Sequence, residues 1–116
     1  MDRIIDVFPP SQQEQIRVVL AATLQGVVSQ ILLPRAEGPG RLAAREVLVV
    51  NSAIRALIRE SRTHQIYNAI QTGRHEGMCT LEESLFDLAT AGLITMDEAL
   101  GRANKPQELR NLARIE

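Results

Sequence analysis

Two groups of residues in this chain have types and spacings that could do chemistry. One is a set of arginines along a helical stretch; the other is a handful of carboxylate, imidazole and thiol groups near residue 80. In Ala53-Ile54-Arg55-Ala56-Leu57-Ile58-Arg59-Glu60, helical spacing puts Ala53, Ile54, Leu57 and Ile58 on one side. It puts Arg55, Arg59 and Arg62 on another. A guanidinium offers a planar fork of donors that matches carboxylates and phosphates, which suits a subunit interface. Periodicity alone favours the plainer reading, an amphipathic helix with solvated charges. Lys105 is the only lysine, and a codon preference for arginine accounts for that as well as interface chemistry does.

His75-Glu76-Gly77-Met78-Cys79 holds only two soft metal ligands and a helix-weakening glycine, so it reads as a loop with a buried thiol rather than a metal site. His64 reads as a polar side chain near a helix start. Glu82-Glu83 and Asp97-Glu98 fall in first turns of helices, where the helix dipole accounts for them without acid-base catalysis. Lys105 is followed by Pro106, not Ser or Thr, and no glycine pair brackets a phosphate loop. There is no nucleophile elbow and no three-histidine cluster. No catalytic, cofactor or metal residue is therefore assigned in this chain.

The elements that position these groups follow from local signals. Val7-Phe8-Pro9-Pro10 is extended, and Ser11 with Glu14 forms a capping box opening a helix that carries Ile16, Leu20 and Leu24 and stops near Gly26. Residues 27–33 read as a strand or partly as a continuation of that helix. Gly38-Pro39-Gly40 marks a turn, and 41–50 ends in the buried strand Val47-Leu48-Val49-Val50. Asn51 or Ser52 caps the arginine helix; Thr63 caps the next, which carries Ile66, Ala69 and Ile70 and ends at Gly73. Thr80-Leu81-Glu82-Glu83-Ser84-Leu85 is echoed by Thr95-Met96-Asp97-Glu98-Ala99-Leu100, two capping boxes with Gly92 between them. Pro106 opens a last helix. The fold class is α+β, mainly α: a β-hairpin and a C-terminal helical part.

At 116 residues, 45% hydrophobic and 23% charged, the chain suits one folded domain with an aliphatic core. A net charge of −1 argues against a nucleic-acid binder. Cys79, the single cysteine, fits a reducing compartment. No run is long enough to span a bilayer, and the segment from Met1 to Asp6 lacks the pattern of a signal peptide, so a cytoplasmic protein without membrane insertion is expected.

The stretch 53–60 resembles the Ala-Ile-Arg-Asn-Leu-Ile-Arg-Glu signature of the PilT-type pilus retraction ATPases, departing only at Ala56. Asp2-Arg3-Ile4-Ile5-Asp6-Val7-Phe8-Pro9-Pro10, Gln13-Glu14-Gln15-Ile16-Arg17, Leu32-Leu33-Pro34-Arg35, Thr63-His64-Gln65-Ile66, Ile70-Gln71-Thr72-Gly73 and Gly92-Leu93-Ile94-Thr95 are similar to the same family. The resemblance implies the C-terminal portion of a hexameric motor, beginning after the family's histidine box. Residues 1–62 would be the end of a RecA-like ATPase core, and 63–116 a C-terminal helical subdomain. It implies ATP and magnesium in the full-length parent but no cofactor in this chain, which would relay motion rather than catalyse. Ala53, Ile54, Arg55, Leu57, Ile58, Arg59 and Glu60 carry over as functional residues, with Arg55 and Arg59 holding alternate carboxylate partners. Expected partners are neighbouring motor subunits and pilus machinery, peripheral to the inner membrane; the isolated chain would be a monomer or small oligomer. A fragment of a related secretion or pilus-assembly ATPase, or a freestanding helical adaptor, are the competing readings.

Overall fold

The computed structural model describes residues 2–115; Met1, which opens the N-terminal segment considered above, lies outside them. A short helix, α1 (Asp2–Asp6), precedes the two prolines. It is anchored by Ile5, which is buried. Pro9 is extended (φ −59°, ψ 148°), and Pro10 occupies the first position of α2 (Pro10–Thr23). The expected Ser11–Glu14 box does not form. Proline has its φ preset for a helix and lacks only a donor that the first turn leaves unused, so the helix starts two residues earlier, with Pro9 rather than Ser11 at the N-cap. The turn is secured instead by Gln13 Nε2 donating to the Phe8 carbonyl at 3.0 Å.

α2 ends at Thr23, so residues 27–33 do not continue it. β1 (Gly26–Pro34) and β2 (Arg41–Val49) form an antiparallel hairpin in register from Gly26 opposite Val49 to Pro34 opposite Arg41. Gly26 begins a strand rather than stopping a helix: a Cβ there would lie 2.9 Å from the Leu48 carbonyl oxygen. In the loop, Gly38 and Gly40 take φ of 77° and 99°, the left-handed region where a side chain is penalised. The end of β2 is not buried throughout; Leu48 and Val50 point inward while Val47 and Val49 are half-exposed, the alternation of a strand with one wet face.

Asn51 caps α3 (Ser52–Arg59), its Oδ1 accepting from the Ile54 amide at 2.9 Å. Ser61 ends that helix in the left-handed region (φ 59°), and the Arg62 amide returns to the Leu57 carbonyl at 2.8 Å. Arg62 is therefore past the helix rather than on its arginine face. Thr63 opens a 3₁₀ turn (Thr63–Gln65) instead of capping α4 (Ile66–Thr72), which Gly73 ends as expected. A second 3₁₀ turn (Arg74–Glu76) leads to α5 (Leu81–Thr90), α6 (Met96–Arg102) and α7 (Pro106–Ile115).

The Thr80 box is complete: its hydroxyl accepts from the Glu83 amide at 3.1 Å, and the Glu83 carboxylate accepts from the Thr80 amide at 2.8 Å. Thr95 accepts from the Glu98 amide at 3.1 Å. Gly92, at φ 77°, makes the turn between the two helices.

Two apolar cores result. The first gathers Ala21, Leu48, Val50, Ile54, Ile58, Ile66, Ile70 and Met78; the second gathers Leu33, Ala44, Leu81, Leu85, Ile94, Ala99 and Leu109. Both draw on the hairpin, which spans them like a beam. The molecule is accordingly elongated, 50 × 27 × 22 Å, with a radius of gyration of 16.2 Å, against about 13 Å for a compact domain of this length. Among the described residues, no helix is long and apolar enough to cross a membrane.

Candidate functional site

α3 sorts the octapeptide into three groups. Ile54 and Ile58 are fully buried in the first core, with Leu57 half-buried against it. Ala53, expected on that same side, is exposed, as are Arg59 and Glu60. Arg55 goes inward, to backbone. Its Nη1 donates to the Ala21 carbonyl at 2.7 Å and reaches those of Ala22 and Leu24 at 3.5 Å; Nη2 reaches the Val50 carbonyl at 3.5 Å.

The last carbonyls of a helix have no intrahelical partner, and a cation there also meets the negative end of the dipole. Arg55 thus pins the end of α2, and the chain on either side of the hairpin, to α3. The sequence expectation has it available for a carboxylate partner; in the structure its Nη1 and Nη2 meet backbone carbonyls instead. The Arg59 guanidinium makes no hydrogen bond or ion pair among the described residues, and Glu60 pairs with Arg62 at 3.4 Å in solvent, a contact of little energetic weight.

The first turn of α5 holds more than dipole complements. Glu82 is 1% exposed. One oxygen accepts from the backbone amides of Asn104 and Lys105 at 2.9 and 3.0 Å; the other accepts from the Tyr67 hydroxyl at 3.0 Å. The Lys105 ammonium sits 3.7 Å from the centre of the Tyr67 ring, a cation–π contact. Burial, and the Glu82 carboxylate beside it, raise the Tyr67 phenol well above its ordinary value. Glu83 completes the Thr80 cap and also takes Arg74 Nη1 at 3.1 Å.

Sequence reasoning missed Glu82, Tyr67 and Lys105 as a unit, since their partners lie 15 to 23 residues apart. The one available signal was that Tyr67 is the only tyrosine in an aromatic-poor chain. A cavity of about 360 Å³ adjoins them, lined also by Ser29, Glu46, Leu48 and Ile70.

The loop with Cys79 needs one correction. The thiol is half-exposed, its Sγ 3.5 Å from the Arg45 carbonyl, with its pKa pushed up by burial. Among the described residues, no three His, Cys, Asp or Glu side chains converge as metal ligands. His64 and His75 are both exposed.

No family model matches the chain. Its order of helix, hairpin and C-terminal helices is the C-terminal part of a secretion-type ATPase domain. The Legionella pneumophila ATPase DotB superposes with a TM-score of 0.66 over 84% of this chain and 26% of that one, at 17% identity, a likeness of fold alone. Closer relatives narrow the class. The twitching motility protein of Neisseria gonorrhoeae is 42% identical over 109 residues, 94% of this chain and 29% of the relative. The type IV pilus retraction ATPase PilT of Pseudomonas aeruginosa is 43% identical over 107 residues, 92% and 31% of the two chains. A crystal structure of the pilus retraction motor PilT with bound ADP matches at a TM-score of 0.83 and 43% identity, over 95% of this chain and 30% of that one. The chain belongs to the PilT-type family and corresponds to its C-terminal portion; it spans about a third of the length of the curated relatives it matches.

Proposed function

We propose that this chain is the motion-relaying C-terminal portion of a hexameric PilT-type motor that retracts type IV pili, residues 1–62 completing a RecA-like ATPase core and 63–116 forming the helical subdomain. ATP and magnesium are held by parts of the motor outside these residues, so the chain alone is not a catalyst. Its partners are neighbouring subunits and pilus-machinery proteins rather than nucleic acid. It works in the cytoplasm, reaching the inner membrane through the pilus machine without inserting. The observation that carries this reading is 42–43% identity to a twitching motility protein and a retraction ATPase across more than nine-tenths of the chain.

The split within α3 supports a relay. Arg55 ties α3 to the end of α2, so a shift of α2 turns α3 as one body. Arg59, exposed on that helix, then meets different carboxylates in different states, the discrete exchange that a switch needs. The test is Arg59→Ala in the full-length protein, with ATP hydrolysis and pilus retraction measured separately. Hydrolysis should hold within about twofold while retraction fails; if both remain normal, the relay role is wrong.

A further inference from the structure

The two apolar cores have no residue in common. α2, α3 and α4 close around one, with Leu48 and Val50 at the near end of the hairpin; α5, α6 and α7 close around the other, with Leu33 and Ala44 toward its far end. The chain crosses between these halves three times: along β1, along β2, and between Met78 and Leu81. The crossings lie side by side. Val28 pairs with Val47, and Val47 and Cys79 exchange backbone hydrogen bonds of 2.9 and 3.1 Å. Packed cores resist deformation, so any turning of one half against the other falls on this narrow ribbon of extended chain.

Away from that row, polar side chains join α4 and the turn after it to the second half. The Tyr67 hydroxyl donates to Glu82 of α5 at 3.0 Å, and the Lys105 ammonium, just before α7, lies 3.7 Å from the centre of the Tyr67 ring. Gln71 Nε2 reaches Glu108 at 3.5 Å. Arg74 Nη1 and Nη2 reach Glu83 and Asp87 at 3.1 and 3.8 Å. The Gln71 contact is long and Arg74 is exposed, so both weigh little.

Tyr67 carries the rest, because its hydroxyl meets a buried carboxylate. Its bond uses Glu82 Oε1, whereas the amides of Asn104 and Lys105 use Oε2. Withdrawing the phenol therefore leaves Glu82 tied to the chain before α7, and the second half keeps its own support. Water can take the vacated oxygen once the phenol leaves. A joint made of polar contacts can part in this way; an apolar core cannot without unfolding.

We propose that Tyr67 is a releasable latch. While its hydroxyl holds Glu82, the two halves move as one. When it lets go, α5, α6 and α7 turn away from α4 about the row Val28, Val47 and Cys79, with both cores still packed. Residues 63–116 then divide into α4, which stays with α3, and α5 to α7, which move. The latch and the row lie wholly within this chain, so this division goes beyond the motor reading without resting on it.

Pulsed dipolar spectroscopy of the whole chain reads the opening. Nitroxide labels go at Asn68→Cys on α4 and Arg110→Cys on α7, both exposed, with Cys79→Ser to remove the native thiol. Tyr67→Phe keeps the ring under the ammonium and removes only the hydroxyl. It should raise the share of a second, longer distance at least about tenfold, as expected for one hydrogen bond to a charged group. Label pairs within one half, Ser52 with Asn68 and Arg41 with Arg110, should keep their native distances. Should Tyr67→Phe fail to fold, Lys105→Met, which alters an exposed side chain, should raise the longer distance about threefold. An unchanged share of the longer distance in the folded variant overturns the proposal. Spreading of the pairs within one half would mean general loosening and overturns it too.

Discussion

Arg55 and Glu82 solve the same problem in two parts of the molecule with opposite charge. Arg55 gathers the orphan carbonyls at the end of α2, whereas Glu82 gathers the amides of Asn104 and Lys105 as the chain enters α7. Each is a side chain from one helix satisfying the backbone at another helix's terminus. They differ in burial. Arg55 is half-buried, with one short contact and three at 3.5 Å, while Glu82 is sealed, with three bonds of 3.0 Å or less. A leaky joint can be remade, and the arginine joint sits beside the helix proposed to move. A sealed anion fixes α4, α5 and α7 as one block.

The sharpest way to break this contrast is Glu82→Ala. It leaves two backbone amides and a phenol without an acceptor in a site water cannot readily enter, so a loss of about 3 kcal/mol is expected. Urea unfolding of the whole chain measures it, and Glu82→Gln, which keeps an acceptor oxygen, should fall between. A loss below about 0.5 kcal/mol would show that water replaces the carboxylate and that the seal is not real.

Arg55→Ala should cost less, about 1–2 kcal/mol, because three of its four contacts are long, at 3.5 Å, and the arginine itself is only half-buried. Arg55→Lys should recover only part, since an ammonium lacks the planar fork that spans several carbonyls. Amide exchange separates the two joints: the arginine variant should loosen the end of α2 and the start of α3 and leave α7 protected. Loosening throughout would mean that the two cores act as one unit.

The threonine caps give a smaller comparison. Thr80→Ala removes half of a closed box with both partners buried, and about 1–2 kcal/mol is expected; Thr95→Ala, at an exposed cap, should cost about half as much. Chevron or equilibrium denaturation of the pair decides it, and equal losses would show that burial of the box adds nothing.

What could be read in advance was what depends on near neighbours in sequence. Gly38-Pro39-Gly40 announces the hairpin, Asn51 the start of α3, and Thr80 with Glu83 a cap, because each signal acts within a few residues. Even here a local rule misplaced the start of α2, where Pro10 outcompeted the Ser11 box. The destinations of Arg55 and Glu82 were hidden because they are set by packing across 34 and 22 residues. Periodicity placed Arg55 on a polar face correctly but could not say that the face looks onto the end of another helix. It likewise put Arg62 on α3, where the left-handed Ser61 had already ended the helix.

Glu46 supplies the smallest expected effect and links the hairpin to the second joint. Its carboxyl is raised above its ordinary value chiefly by burial, then by the Glu82 charge; contacts to Leu81 and Lys105 oppose this without cancelling it. A raised acid holds its proton more tightly when folded than when unfolded. Its contribution to stability is thus full below the ordinary carboxylate pKa and is lost as pH rises through the folded value. The native protein should therefore give up some stability across the upper carboxylate range, and Glu46→Gln should flatten that fall, gaining on the native chain at pH 7 relative to pH 4. Thermal unfolding at the two pH values reads the difference. Because Glu46 is only half-buried, solvent trims the effect to a shift of about one or two degrees. Parallel pH dependence in the two proteins would mean that the fall belongs to other carboxylates.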